Sequence, residues 1–225
     1  MAMSEEAYFS TERQRMVDEQ LLERDIVDPR VVDAMRITPR HSFVPIEHRH
    51  LAYADGPLPI GRGQTISQPY IVALMTQLLE LKGDETVLEI GTGSGYQAAV
   101  LASIAKEIHT VERYADLARL AARVLDDLGL RNVHVHVSDG SRGLVEFAPY
   151  AAIVVTAAAP SIPKPLLEQL AEGGRLVIPV GSRGGQILER WRRCGSEYDR
   201  DAITPVAFVP LRGQFGWDED DICFG

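Results

Sequence analysis

At 225 residues, with 45% of them apolar, the chain is long enough to build one well-buried α/β domain with an appendage. A formal charge of −9 argues against a nucleic-acid backbone as partner, because neutralising phosphates takes a basic face that this composition does not supply. Cys194 and Cys223 stand alone with no metal-ligand spacing, and no apolar run is long enough to span a bilayer, so a disulfide framework, a zinc site and a membrane anchor are all unsupported.

The opening Met1-Ala2-Met3-Ser4-Glu5-Glu6 lacks the basic-then-apolar order of a signal peptide, and the expected compartment is the cytoplasm. Ser10 or Thr11 can cap a first helix carrying Met16, Val17, Leu21 and Leu22 on one side. Asp28 followed by Pro29 starts a second, with Val31, Val32 and Met35 as its apolar face and Pro39 as its stop. From Arg40 to Gln68 periodicity disappears among Pro45, Gly56, Pro57, Pro59, Gly61 and Gly63. Phe43, Tyr53, Leu58 and Ile60 predict an ordered loop that covers something. It ends in Thr65-Ile66-Ser67-Gln68-Pro69-Tyr70, and Ile71, Leu74, Met75 and Leu78 then mark a helix.

Val87-Leu88-Glu89-Ile90 reads as a buried strand that breaks into Gly91-Thr92-Gly93-Ser94-Gly95 before a helix from Tyr96. Such a turn aims helix N–H groups at a nucleotide-like ligand. A dinucleotide fingerprint needs Gly or Ala where Tyr96 stands, and a phosphate-binding loop needs a Gly-Lys-Ser/Thr that is absent. Glu89, just before the first glycine, would oppose a pyrophosphate but suit the ammonium and sulfonium of S-adenosylmethionine. About 20 residues on, Glu112 ends the strand Ile108-His109-Thr110-Val111, the place of an acid that accepts ribose hydroxyls.

Downstream, Tyr114–Leu128 is predicted as a helix, Asn132–Val137 and Ala152–Val155 as strands, Leu166–Ala171 as a helix closed by Gly173-Gly174, and Arg175–Ile178 as the next strand. Gln186–Arg192, alternating as a sheet edge does, and Val206–Leu211 supply the last strands. At the end of the third strand, Ser138-Asp139-Gly140 reads either as a turn or as the acceptor for an adenine amino group.

These residues resemble those of the protein-L-isoaspartate O-methyltransferases nearly end to end. The likeness runs through Arg15-Met16-Val17-Asp18-Glu19-Gln20-Leu21, Asp28-Pro29-Arg30-Val31, Pro39-Arg40-His41-Ser42-Phe43-Val44-Pro45 and Ala52-Tyr53-Ala54-Asp55. Thr65-Ile66-Ser67-Gln68-Pro69-Tyr70 carries it most specifically, and Gly174-Arg175-Leu176-Val177-Ile178-Pro179-Val180-Gly181 and Phe208-Val209-Pro210-Leu211 continue it. The resemblance implies a doubly wound, seven-stranded sheet of the class I S-adenosylmethionine-dependent methyltransferase type, its last two strands exchanged, with an N-terminal helical extension. One domain is expected over 1–225: helices and substrate loop in 1–80, a cofactor-binding core in 81–185 and C-terminal strands in 186–225.

The implied activity is methyl transfer from S-adenosylmethionine, leaving S-adenosylhomocysteine, to the free carboxylate of L-isoaspartyl residues in damaged proteins and peptides. The expected protein is a monomer without nucleic acid, membrane or metal. Ser67 is then the residue that orients the acceptor carboxylate, against the plainer reading of a helix cap. Ile66, Pro179 and Val180 would wall the peptide; Gln68, Glu89, Gly91, Thr92, Gly93, Ser94, Glu112, Asp139 and Gly140 would bind the cofactor. The chain departs from the family at Ser138, where Gly is usual, and at Ala151, where Asp is usual. Methylation of another acceptor, or a catalytically silent cofactor-binding module, are the competing readings.

Overall fold

The computed structural model describes residues 4–182 and 184–218; Met1-Ala2-Met3 and Cys223 lie outside the described residues. Helix α1 (Glu5–Met16) is capped by Ser4, whose Oγ accepts Ala7 N at 3.2 Å, and not by Ser10 or Thr11. The chain continues as a π-helical turn, Val17–Leu22, burying Val17 and Leu21 and leaving Leu22 exposed. Helix α2 (Pro29–Ile37) starts as its Asp28-Pro29 pair predicts, with Asp28 Oδ1 accepting Arg30 N at 2.9 Å.

Residues 40–68 hold more regular structure than their punctuation suggests. Two 3₁₀ turns, Arg40–Phe43 and Ile46–Leu51, precede an antiparallel hairpin of β1 (Leu58–Gly61) and β2 (Gln64–Ile66). Strands of four and three residues are too short for alternation to register. Helix α3 (Pro69–Leu78) follows directly.

The main sheet contains β3 (Thr86–Ile90), β4 (Glu107–Glu112), β5 (Val133–Val137), β6 (Tyr150–Val155), β7 (Leu170–Ser182), β8 (Gly185–Cys194) and β9 (Glu197–Val206). Their order is β5-β4-β3-β6-β7-β8-β9; the first five are parallel and the last two antiparallel. Helices α4 (Tyr96–Ala102), α5 (Ala115–Asp127) and α6 (Lys164–Glu168) connect strands. Being buried on both faces, the central strands alternate between two cores. Val87, Ala152 and Val154 join the N-terminal helices, whereas Leu88, Ile90, Ile153 and Val155 pack with Leu166, Leu170 and Ile178.

Three predicted elements shift. The helix expected over Leu166–Ala171 ends at Glu168, and β7 already pairs Leu170 with Tyr150 before a bulge that restores register at Ala152 and Arg175. Gly173-Gly174 serves that bulge and is no helix stop: a Cβ on Gly174 would lie 2.8 Å from Ala171 O. The last strand is Glu197–Val206, missed because an exposed edge strand can be as polar as Glu197-Tyr198-Asp199-Arg200-Asp201; of the strand expected over Val206–Leu211 only Val206 is in the sheet, and β8 is interior, not the edge.

Candidate active site

Strand order reverses at β3, whose neighbours β4 and β6 lead to opposite ends of the sheet, and ligands of such sheets bind at the carboxyl ends there. The glycine turn leaves β3 at this point. Gly91 has φ +99°, and a Cβ on it would lie 2.3 Å from Thr156 Oγ1, which itself donates to Ile90 O at 3.1 Å and Gly91 O at 2.7 Å. Only glycine leaves room for that brace. Gly91 and Gly93 line a crevice with Ile90, Val111, Glu112 and Gly140, roofed by Gln64 and Thr65 of the hairpin and by Val209–Arg212.

Glu112 faces this crevice. Its Oε2 accepts Gly93 N at 2.9 Å and its Oε1 accepts Tyr114 N at 3.0 Å, so the carboxylate also pins the glycine turn. Each oxygen keeps lone pairs for a further donor. Glu89 does not line the crevice. It is fully buried; its Oε2 accepts Thr110 Oγ1 at 2.6 Å, and Thr110 bonds Thr92 Oγ1 at 2.6 Å. The other oxygen, Oε1, has no partner among the described residues. Burial pushes this carboxyl up to about 8, which favours its protonated form near neutral pH and sets it apart from the anion expected for an ammonium or sulfonium.

The side chains of Thr92 and Ser94 turn away from the crevice, the first toward Thr110 and the second to accept Tyr96 N at 3.3 Å. The turn therefore offers main chain. Asp139 lies behind Gly140 with both oxygens engaged: Oδ1 accepts Ser141 N at 3.0 Å and Ser141 Oγ at 2.7 Å, and Oδ2 accepts Gln214 N at 2.9 Å. Ser138 does not adopt positive φ and donates its N–H to Glu112 O at 3.1 Å, so the departure from glycine strains nothing.

Ser67 lies in a second cavity, a groove of about 470 Å³ lined by Thr65, Gln68, Ile71, Thr156, Pro205 and Phe208 among others. Its half-buried hydroxyl has no partner among the described residues, and α3, whose N-cap is Gln68, has no side-chain cap bond. Gln68 lines this groove and not the crevice, its amide donating to Asp55. The expected walls are elsewhere. Ile66 packs inward at 3% exposure because it alternates with Thr65, and Pro179 and Val180 line neither cavity, lying instead against Ala159, whose N–H donates to Pro179 O at 3.0 Å.

Thr65, Thr156 and Val209 line crevice and groove alike, so the two cavities meet at these residues. None was singled out from sequence. Thr156 had a usable signal, since it follows β6 at the carboxyl edge; Val209 reaches the site only because the chain folds back after β9. Among the described residues no three His, Cys, Asp or Glu side chains converge as metal ligands.

Residues 11–216 match the family model described as protein-L-isoaspartate(D-aspartate) O-methyltransferase. The chain is similar to the protein-L-isoaspartate O-methyltransferase of Syntrophotalea carbinolica, 54% identical over 94% of this chain and 98% of that one, and of Geobacter metallireducens, 53% identical over 95% and 99%. A solved protein-L-isoaspartate O-methyltransferase superposes with a TM-score of 0.80 at 28% identity, covering 91% of this chain and 67% of its own. The Plasmodium falciparum protein solved with S-adenosyl-L-homocysteine shares the fold, with a TM-score of 0.78 at 24% identity over 89% and 98%.

Proposed function

The chain belongs to the protein-L-isoaspartate O-methyltransferase family, and from this we infer that it moves a methyl group from S-adenosylmethionine to the free carboxylate of L-isoaspartyl residues in proteins and peptides. One observation carries the reading into this chain's own geometry: the glycine crevice and the Ser67 groove lie side by side and share Thr65, Thr156 and Val209 as lining residues. A methyl donor in the first and an acceptor in the second would meet there.

The crevice residues fit the cofactor. Glu112 retains lone pairs for the two ribose hydroxyls, and Gly91 and Gly93 let the main chain come close to the ligand. Gly140 lines the end that would take the adenine, and Asp139 behind it holds that turn through Ser141 and Gln214. The cofactor supplies an electrophilic methyl on a sulfonium. In the groove, Ser67 donates its free hydroxyl to the acceptor carboxylate and aims the other oxygen at that methyl carbon. The bound cofactor would supply the methyl carbon and a sulfur leaving group, and the acceptor carboxylate, already ionised, would supply the attacking oxygen. No proton moves in that step, so the protein needs alignment and exclusion of water rather than a general base.

Both apolar cores gather on one sheet, which supports 1–225 as a single methyltransferase domain in which 1–80 cover the groove. The same reading has the protein act as a cytoplasmic monomer, without nucleic acid, metal or membrane; its charge of −9 disfavours a nucleic-acid partner, and no described helix is long and apolar enough to cross a bilayer.

The test is methyl incorporation into an isoaspartyl peptide and its aspartyl twin, followed by mass spectrometry. An aspartyl carboxylate is displaced from the main chain by one methylene, and a misplacement of about 1 Å can cost a hundredfold, so only the isoaspartyl peptide should react. Ser67→Ala should slow it by roughly tenfold to a hundredfold, the loss of one hydrogen bond to a charged group, with cofactor affinity nearly intact. Equal methylation of the twins would end the repair reading.

A further inference from the structure

We propose that Asp55 is a positioning residue for methyl transfer, holding the Ser67 segment in place through the side-chain amide of Gln68; the inference rests on the functional reading above. Gln68 precedes the first turn of α3, yet its side chain does not cap the helix. Its Nε2 reaches sideways to Asp55 Oδ1 at 2.8 Å. Asp55 and Gln68 stand on either side of the β1–β2 hairpin, so this one bond closes the base of the hairpin that roofs the crevice and carries Thr65 and Ser67 into the groove.

The latch is anchored from behind. Asp55 Oδ2 pairs with Arg24 Nη2, and the Arg24 guanidinium lies 4.5 Å over the ring of Tyr70, which donates its hydroxyl to Asp25 Oδ1 at 2.7 Å. Near the far end of α3, Gln77 accepts Val27 N at 2.7 Å and Asp28 N at 2.9 Å and donates to Asp25 O at 2.9 Å. Residues 24–28 thus clamp α3 at two points. Ser67, just outside the helix, has no hydrogen bond among the described residues, and between buried Ile66 and Pro69 the Gln68–Asp55 bond is the polar contact nearest to it. Arg24 and Asp55 side chains are 39% and 32% exposed, and such pairs add little to stability, so the bond's use is geometric.

The experiment uses the full chain, S-adenosylmethionine and an isoaspartyl peptide. Asp55→Ala should lower kcat about tenfold while cofactor Kd by calorimetry stays within about twofold and Tm within a few degrees. Gln68→Glu sets two carboxylates against each other and should lower kcat similarly. The double variant Asp55→Asn with Gln68→Glu reverses donor and acceptor, and should recover kcat to within about threefold of the wild type, a rescue that a merely structural contact would not give. Full kcat in Asp55→Ala, or no recovery in a folded double variant, overturns the proposal. A wild-type protein inactive on isoaspartyl peptide would instead overturn the functional reading. The latch is then decided by hydrogen exchange, where Asp55→Ala should speed exchange of the 64–68 amides about tenfold and unchanged exchange would sink it.

Discussion

Glu89 and Glu112 sit on adjacent parallel strands, and their access to the crevice separates them. Glu112 is the one that a ligand can reach. On the proposed function, replacing it with Ala would remove a charged acceptor for ribose hydroxyls as well as the partner of Gly93 N, and since hydrogen bonds to charged groups contribute about 1.5–3 kcal/mol, cofactor affinity should fall tenfold or more by calorimetry. Glu89 is held near 8 against 4.5 for the free side chain, so between those values the folded protein keeps a proton that the unfolded chain releases. Its contribution to stability is therefore full below pH 4.5 and is lost as pH rises toward 8. Glu89→Gln is an uncharged near-isostere. It should leave cofactor affinity within about threefold, and its stability advantage over the wild type should grow from pH 5 to pH 8 toward roughly 3–5 kcal/mol. A tenfold loss of affinity, or an advantage flat with pH in denaturant titrations, would show that Glu89 acts as an anion.

At the level of elements, the β4–β5 edge of the sheet carries a histidine cluster. His109 on β4 and His134 and His136 on β5 share one face, with His109 Nδ1 3.1 Å from His136 Nε2 and Phe147 stacked 4.0 Å from the His109 ring. Burial, then the neighbouring imidazoles, hold His109 and His136 below the ordinary histidine value of 6.5, against an opposing pull from Glu107 on His109 and from Glu146 on His136. These two rings bind protons less readily in the fold than in the unfolded chain, so stability is lost as pH falls below 6.5. The Glu89 trend runs the other way. Thermal unfolding of Glu89→Gln between pH 7 and pH 5 should therefore show a Tm drop that His136→Gln in the same background reduces by a few degrees. An equal drop in both would remove the cluster from the acid response.

For the whole molecule the governing feature is closure. The crevice as it stands has room for about 70 Å³, against about 470 Å³ in the groove. The hairpin packs down on it, Ile60 Cδ1 lying 3.4 Å from where a Cβ on Gly93 would be, and the C-terminal turn is tied to the end of β5 by Gln214 N on Asp139 and Phe215 N on Ser141 Oγ. On the proposed function, one of these two covers moves aside as the cofactor enters. In stopped-flow mixing, the observed binding rate should saturate as cofactor concentration rises, because opening becomes limiting. A rate that stays linear in concentration would mean that the crevice is open in solution.

The amino-acid sequence by itself determined the features that rest on local patterns and spacing. A buried run broken by Gly91, Gly93 and Gly95, an acid about 20 residues later at a strand end, and Asp28-Pro29 at a helix start each depend on neighbours in the chain, so β3, α4, β4 and α2 were readable in advance. Tertiary structure decided what depends on burial and on return of distant segments. Glu89 looked like a charge for the cofactor, and only its enclosure beside Thr110 reveals that burial raises its pKa and disfavours that charge. Ile66, Pro179 and Val180 resembled groove walls, but strand alternation and the lie of Ala159 turn them elsewhere, while Val209 arrives from beyond a polar edge strand that carried no apolar pattern. The meeting of crevice and groove at Thr65, Thr156 and Val209 joins three segments that no spacing rule connects, because it exists only once β2, β6 and the chain after β9 are folded against one another.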